Sequence, residues 1–520
     1  MRHPRYPEAR LALTLAVLGL LSRTASGQIQ LVNMVPRAAS GESVQDAEPS
    51  LTVNPANPLQ IAASAFTWDN PHGSPMIGAN APIYTSTDGG QTWNLVLNVP
   101  SAVGAALPTG DIMLHFSGTA SGTTSLLYAG ILGALPPGGN LPVQVLRTAD
   151  YRLARPMSVI DTRTTTAGVD QPHLGAATVR GGTDAGKDRL YVGFNKLDTS
   201  RTATVDYSLD AAAPAPPHLR FDLHVIETRD TLGQDGYANV PAVHPDGTVY
   251  VLFYGLRSHG EMAGTATTDV VVVRDDNWGS GSTPFAALID ASDGHAGRRV
   301  VTGRMVVLVG GWLGQQRLGA SNLALAVDPR NSRTVYIAWA DQPTGTFTQT
   351  LHVRRSTDGG ANWSSDLKTV PDAVNSSLAI NSRGQVAFLY QQLVGTPPED
   401  RWETRLTRTT DAGGATWDDP GVLLANTPAS SPEKQYDPYL GDYALVVASG
   451  QTFFGVFSAN NYPDRANFHA SVVYQRYVDW TTHQLFKDAA GTIPVAPSID
   501  PFFFKVTEAG GAPGAPQENR

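Results

Sequence analysis

Aspartate recurs at one place in a repeating pattern along this chain. It stands ahead of six of the apolar segments that we predict to be strands, and an arginine takes that place in one more repeat. Neighbouring carboxylates raise each other's pKa values, which suits them to general acid or base catalysis, and their oxygens are ligands for hard cations. The residues are Asp46, Asp111, Asp170, Asp235, Asp372, Asp437 and, in the fifth repeat, Arg317.

Further candidates lie in the same connections or in those that follow the second strand of a repeat. Aromatic rings offer flat surfaces to sugars, and guanidinium groups bind carboxylates in bidentate geometry. We predict catalytic roles for Asp69, Asp170, Asp235, Tyr237 and Tyr439. We predict ligand binding by Asp46, Trp68, Tyr254, Arg257, Arg317, Asp437 and Arg465.

Each aspartate also has a purely structural interpretation. A carboxylate at the start of a strand can accept hydrogen bonds from backbone N–H groups of a neighbouring sheet. For any single aspartate the sequence favours this structural role, whereas for the whole acidic face it favours a bound ligand.

The elements that position these residues come from a repeat of roughly 65 residues. Each copy has two strands joined by a tight turn, as in VPAVHPDGTVYVLFY (240–254), then a third strand that ends at an anchor residue, and a fourth strand. Four antiparallel strands repeated radially make a β-propeller, in which the first strands line a central channel. The anchors are Asp88, Asp150, Asp210, Asn277, Asp358, Asp411 and Asp479.

We therefore predict an all-β chain with a single seven-bladed propeller over residues 28–507. Two segments compete to complete the last blade, IQLVNMV (29–35) and PFFFKV (501–506). Because the first strands all start at the same end of the channel, the recurring aspartates are expected to meet at its mouth. The anchors then lie at the opposite face.

Two anchors belong to near-identical segments, STDGGQTW (86–93) and STDGGANW (356–363). The aspartate can accept hydrogen bonds from its own turn, and the second glycine permits the positive φ that such a turn needs. The tryptophan covers the blade with a large apolar surface. We interpret this motif as an element of the fold and not as a ligand site.

The spacing Ser86-x-Asp88-x-Gly90-x-x-Trp93 resembles the Asp-box, or BNR repeat, of the sialidase-like propeller superfamily. That resemblance implies the propeller fold strongly and offers six blades as the alternative to seven. Sialidases hold a substrate carboxylate with three arginines and use a Tyr nucleophile with an Asp acid/base. The first arginine lies in an Arg-Ile-Pro motif, which MVPRAAS (34–40) does not match. By position, Arg257 and Arg317 would be later arginines and Asp69 the acid/base.

The N-terminal segment predicts that the protein is exported. Residues 1–27 combine Arg2, Arg5 and Arg10 with the apolar run LALTLAVLGLL (11–21), a pattern typical of a signal peptide, with cleavage expected before Gln28. The chain has no cysteine and a net charge of −9, which argues against disulfides and against nucleic acid as a partner. We expect no membrane span, a monomer, and a flexible tail at 508–520.

The leading hypothesis is a secreted, sialidase-like propeller that binds or hydrolyses glycans at its acidic central face, with lyase chemistry as a variant. A sialidase-type exo-glycosidase with an atypical arginine set is the first alternative. A non-catalytic propeller that binds a protein partner is the second. We predict no cofactor and no metal, with Ca²⁺ at the acidic face as the alternative.

Overall fold

The computed structural model describes residues 28–508, except for fifteen internal gaps. The predicted signal peptide and the tail beyond Glu508 lie outside the described residues. In the described ranges no helix is long and apolar enough to cross a membrane. The gaps are 68–81, 98–109, 119–124, 134–141, 153–156, 165–167, 198–201, 215–218, 234, 236–237, 261–262, 309, 320, 344–347 and 412–413.

The described chain is all-β, apart from short 3-10 helices at Arg37–Ala39 and Arg465–Asn467. Strand β1 (Gln28–Asn33) precedes three four-stranded antiparallel sheets, each formed by consecutive strands. They comprise β2 (Ala47–Val53), β3 (Ile61–Phe66), β4 (Pro82–Ser86) and β5 (Asn94–Leu97); β6 (Ile112–Phe116), β7 (Leu127–Leu132), β8 (Val143–Thr148) and β9 (Ser158–Arg163); and β10 (Val169–Thr178), β11 (Asp188–Lys196), β12 (Ala203–Ser208) and β13 (Asp222–Val225).

Three more four-stranded sheets follow, with a two-stranded hairpin between the first and second of them. The first holds β14 (Val240–Val243), β15 (Val249–His259), β16 (Thr265–Asp275) and β17 (Arg298–Val307), and the hairpin is β18 (Gly311–Leu313) and β19 (Gln316–Leu318). The others are β20 (Leu323–Asp328), β21 (Asn331–Asp341), β22 (Thr350–Ser356) and β23 (Lys368–Pro371), then β24 (Ala373–Ile380), β25 (Val386–Val394), β26 (Arg401–Arg408) and β27 (Val422–Pro428).

The last large sheet joins both ends of the described chain, in the order β28, β29, β34, β1, β30. Both segments that we predicted as competitors for completing the last blade are therefore in it. Its members are β28 (Leu445–Ser449), β29 (Thr452–Asn460), β30 (Val472–Tyr474) and β34 (Ile499–Thr507), while β31 (Tyr477–Asp479), β32 (Gln484–Phe486) and β33 (Pro494–Val495) form a separate small sheet.

One predicted anchor is wrong. We placed Asp479 between the third and fourth strands of the last repeat, but Asp479 ends β31 in the small sheet. The third strand of the last large sheet is β34, far later in the chain. The apolar pattern of VVYQRYVDW correctly predicts strands, but it does not indicate which sheet these strands join.

The first strands of the seven large sheets contact one another in sequence, and β28 returns to contact β2. Apolar side chains fill the space between neighbouring sheets; for example Leu51 and Trp93 of the first sheet pack with Phe454 and Phe503 of the last. The fold is thus an all-β arrangement of four-stranded antiparallel sheets that is consistent with a β-propeller.

The STDGGQTW segment forms the turn between β4 and β5. The Asp88 carboxylate accepts hydrogen bonds from the N–H groups of Gln91 (2.9 Å) and Thr92 (3.0 Å), and from the Ser86 hydroxyl (2.8 Å). The Trp93 indole donates to the Gly90 carbonyl at 3.2 Å. In STDGGANW, between β22 and β23, the Asp358 carboxylate likewise accepts from the Ser356 hydroxyl (2.8 Å) and the Asn362 N–H (2.9 Å), and the Trp363 indole donates to the Gly360 carbonyl at 3.0 Å.

Replacing Gly90 with alanine is expected to lower the free energy of unfolding by at least about 3 kcal/mol. Gly90 has φ +88°, and an added Cβ would lie 2.1 Å from the Phe503 ring, so left-handed strain and overpacking add. The matched control is Gly182→Ala, which has φ +75° but nothing within 4 Å of its Cβ, and it should cost only about 1 kcal/mol. Equal losses in urea unfolding of the two variants would contradict this account of the turn.

Candidate active site

Four carboxylates from four different sheets meet where the first strands begin. Glu48 is the second residue of β2, Asp170 the second residue of β10, Asp111 directly precedes β6, and Asp442 lies three residues before β28. Arg317, on the β18–β19 hairpin, joins them. We call these five residues the carboxylate cluster.

The backbone at the cluster is irregular. The pairing of β2 with β3 and of β10 with β11 is interrupted by bulges, and the bulged residues Glu48 and Gln171 have φ of 54° and 47°. Gly441 runs against one bulge so closely that a Cβ there would lie 2.1 Å from the Glu48 nitrogen. Non-glycine residues in this conformation are costly and concentrate at functional sites.

Hydrogen bonds connect the cluster. Arg317 Nη2 donates to Asp442 Oδ2 at 2.8 Å, and Gln171 Nε2 donates to the same oxygen at 2.7 Å. The Tyr443 hydroxyl donates to Asp111 Oδ2, and the Glu48 carboxyl group is hydrogen-bonded to Asp111 as well. Asp111 and Asp170 are partly exposed, whereas Glu48 and Asp442 are buried, so solvent reaches the first pair more readily than the second.

Burial and repulsion between carboxylates raise the pKa values of Glu48, Asp170 and Asp442. Burial is the largest cause for Glu48, whose pKa is raised well above the usual range, with Asp111 and Asp442 adding to it. The same causes raise the pKa of Asp170 to about 8. Arg317 opposes both shifts and, with Gln171, limits the rise for Asp442. A carboxylic acid whose pKa is raised in this way is suited to act as a general acid near neutral pH.

A cavity of about 190 Å³ lies among the first strands, and its lining includes Asp442 and Tyr443 of the cluster region. His173 also lines it, stacks edge-on against Tyr443 with ring centroids 5.4 Å apart, and has its pKa lowered to about 4 by burial. All seven first strands contribute to the lining, through Leu51, Met113, Leu174, Val240, Leu323, Leu378 and Leu445.

The structure separates Asp46 from the carboxylate cluster. Asp46 is buried beside Glu42 and Asp500, with one carboxylate oxygen of each within 4.8 Å of the others. This is the group in the described residues that could hold a metal, but Asp500 already accepts hydrogen bonds from Asn33, Asn461 and Ser498, all at 2.7 Å, and from Arg476. Arg476 thus supplies positive charge where a cation would have to bind.

Other predicted site residues have structural partners. The Asp235 carboxylate accepts backbone N–H groups of Thr202 (2.9 Å), Ala203 (3.2 Å) and Leu256 (3.3 Å), so it fastens the third sheet to the fourth, as the structural interpretation expects. Tyr254 and Tyr439 are fully buried; their hydroxyls donate to backbone carbonyls at 2.7 and 3.1 Å, which leaves no ring face for a sugar.

The predicted arginines engage separate partners. Arg257 binds Asp269 and Glu227 at 2.8 and 3.0 Å, Arg317 binds Asp442, and Arg465 lies 4.1 Å above the Trp480 ring. Asp437 is exposed and pairs with Lys434 at 2.9 Å. Trp68, Asp69 and Tyr237 lie outside the described residues.

Sequence reasoning missed Glu48, Asp442 and Tyr443. The signal was present in QDAEPS and DPYLGDY, which carry second acidic residues close to Asp46 and Asp437. The positions at which β2 and β28 begin explain why the sequence did not indicate these residues. Glu48 lies in the bulge of β2, and β28 starts at Leu445, so Asp442 and not Asp437 is the aspartate that stands just ahead of this strand.

No protein-family profile matches this chain, and no curated protein matches it. Solved structures that are similar to it at a low level include the following three. An α-L-arabinofuranosidase, Arb93A of Fusarium graminearum, is 12% identical with TM-score 0.45 and covers 75% of this chain and 100% of its own. A PL25 ulvan lyase is 9% identical with TM-score 0.46 (80% and 92%). A Penicillium chrysogenum α-L-arabinanase is 11% identical with TM-score 0.38 (91% and 97%). Sequence identities and TM-scores this low do not assign a function to this chain.

Proposed function

We propose that this protein is a seven-bladed β-propeller of the sialidase-like kind that binds and hydrolyses glycans at the carboxylate cluster. The convergence of Glu48, Asp111, Asp170 and Asp442 from four sheets carries this proposal, because such a convergence gives differently protonated carboxyl groups within one opening. The first strands of the seven large sheets contact one another in order, and the last of them, β28, contacts β2, which supports seven blades.

Hydrolysis of a glycosidic bond needs one acid and one base or nucleophile. Asp170 carries the proton and is partly exposed, so it donates that proton to the departing glycosidic oxygen. Asp111, the other partly exposed carboxylate, accepts a proton from the attacking water. Tyr443 and Glu48 hold Asp111 in place, and Arg317 with Gln171 holds Asp442.

One observation favours sialidase-type chemistry as the second candidate. The Tyr443 hydroxyl is hydrogen-bonded to Asp111, a tyrosine–carboxylate pair of the kind that provides a nucleophile in sialidases. Burial and the nearby carboxylates raise the pKa of Tyr443 well above its usual range, which disfavours the phenolate that would attack. The first mechanism is therefore preferred.

A hydrolysis screen of the purified protein tests the proposal. The panel contains sialosides, neutral plant polysaccharides and algal uronic-acid polysaccharides, each with and without chelator, and products are measured as reducing ends and as unsaturated sugars at 235 nm. We expect reducing ends from a neutral glycan, and loss of that activity in Asp111→Asn. Release of sialic acid that Tyr443→Phe abolishes would favour the second candidate, whereas neither binding nor cleavage would overturn both and favour a protein-binding role.

We further propose that the protein is exported and monomeric. The arginine-rich start and apolar run of residues 1–27 support export. Amino-terminal sequencing of protein recovered from culture medium or periplasm should begin at Gln28, and light scattering should give the mass of one chain.

A further inference from the structure

Trp312 is an exposed tryptophan beside the carboxylate cluster. The β18–β19 hairpin alternates strictly: Leu313 and Leu318 are buried, whereas 43% of the Trp312 surface is exposed and Arg317 is partly exposed. Trp312 and Arg317 are paired directly across the two strands. Because paired residues point to the same side of an antiparallel ribbon, the indole stands next to the guanidinium that reaches Asp442.

The hairpin that carries Trp312 is firmly anchored. Gln315 Nε2 donates to the carbonyls of Ala429 and Pro432, both at 2.9 Å, and Gln316 Oε1 accepts the Leu440 N–H at 2.8 Å. These bonds fix the hairpin to the segment that leads into Asp442. The Trp312 ring is therefore held at a fixed place relative to the cluster, which a binding surface requires.

The ammonium group of Lys434 lies over the Trp312 ring. Lys434 Nζ lies 3.5 Å from the Trp312 ring centroid and pairs with Asp437 at 2.9 Å. Even with this lysine in place, nearly half of the tryptophan surface remains open to solvent. Asp437, which we predicted as a ligand residue, thus acts by positioning Lys434 beside the indole.

We propose that Trp312 is a stacking platform for one sugar ring of the glycan, next to the ring that the cluster cleaves. The indole takes the apolar C–H face of the sugar on the side away from Lys434, whose ammonium group lies over the other face of the ring. The two cations beside the platform are already paired, Arg317 with Asp442 at 2.8 Å and Lys434 with Asp437 at 2.9 Å, so neither is an unengaged counter-charge for an anionic sugar. The platform is therefore assigned to a neutral oligosaccharide of at least two units. This inference rests on the proposed glycan hydrolysis.

The test compares Trp312→Ala and Trp312→Phe with wild type on two substrates, a nitrophenyl monoglycoside and neutral oligosaccharides of two to six units of the same sugar. Trp312→Ala should raise KM for the oligosaccharides about 10-fold while kcat and the monoglycoside KM change less than about twofold, since a stacking contact contributes roughly that factor. Trp312→Phe should give an intermediate KM.

The matched control is Trp278→Phe. Trp278 is also partly exposed and also lies under an arginine, Arg189, 5.7 Å from its ring, but it is in the turn between β16 and β17 at the opposite face. Its kinetics should equal those of wild type. An unchanged oligosaccharide KM in Trp312→Ala, or an equal rise for both substrates, would overturn the platform alone. A wild-type protein that neither binds nor cleaves any oligosaccharide would overturn the proposed function as well.

Discussion

Asp170→Asn is expected to lower kcat on an unactivated glycan at least about 100-fold, because the amide cannot protonate the leaving oxygen. A dinitrophenyl glycoside needs no such proton, and the variant should keep most of its activity on that substrate. The wild-type rate should fall as pH rises through about 8, where Asp170 loses its proton, and this limb should disappear in the variant. Initial rates from pH 5 to 10 on both substrates provide the measurement.

Stability separates this catalytic role from a structural one. The folded-state pKa of Asp170 is raised, so between about pH 4 and pH 8 the folded protein binds more protons than the unfolded chain, and this group makes stability fall as pH rises. Asp170→Asn removes that penalty and should be at least as stable as wild type at pH 8. The control Asp150→Asn, an exposed turn residue between β8 and β9, should leave activity unchanged. A variant that loses both activity and stability would contradict the assignment.

Arg476→Met is expected to lower the free energy of unfolding by about 3–5 kcal/mol, because it leaves the Asp500 carboxylate buried without its counter-charge. Both side chains of this ion pair are fully buried, and Arg476 Nη1 also donates to the Glu42 carbonyl at 2.8 Å. The pair connects β34 with the chain just ahead of β2, so its loss weakens the place where the sheets close on themselves. Chemical denaturation measures the change.

Arg465→Met is the matched control for this prediction. Arg465 is exposed and stacks on Trp480, so its replacement should cost less than about 1 kcal/mol. In the double variant Arg476→Met with Asp500→Asn, the unpaired charge is gone and part of the stability should return. A single Arg476 variant within 1 kcal/mol of wild type would show that this buried pair does not hold the closure.

The sequence predicted the strands, the turns at Asp88 and Asp358, and the meeting of Asp111, Asp170 and Arg317, because strand periodicity and turn chemistry are local properties. It did not predict that Glu48 would replace Asp46 at the cluster. That exchange depends on the bulge that contains Glu48, whereas Asp46 is buried beside Glu42 and Asp500. The sequence also did not predict that Tyr254 and Tyr439 are buried, because packing between sheets joins residues that are far apart in the chain.

Strands β1 and β34 lie side by side, with Gln28 opposite Thr507. The two ends of the folded region are therefore neighbours, and a short linker between them would turn the chain into a continuous loop that can be cut elsewhere. Such a circular permutant, opened in the surface turn at Gly181–Gly182, should fold with the same cluster. It would free both termini for fusion at a site remote from the channel mouth.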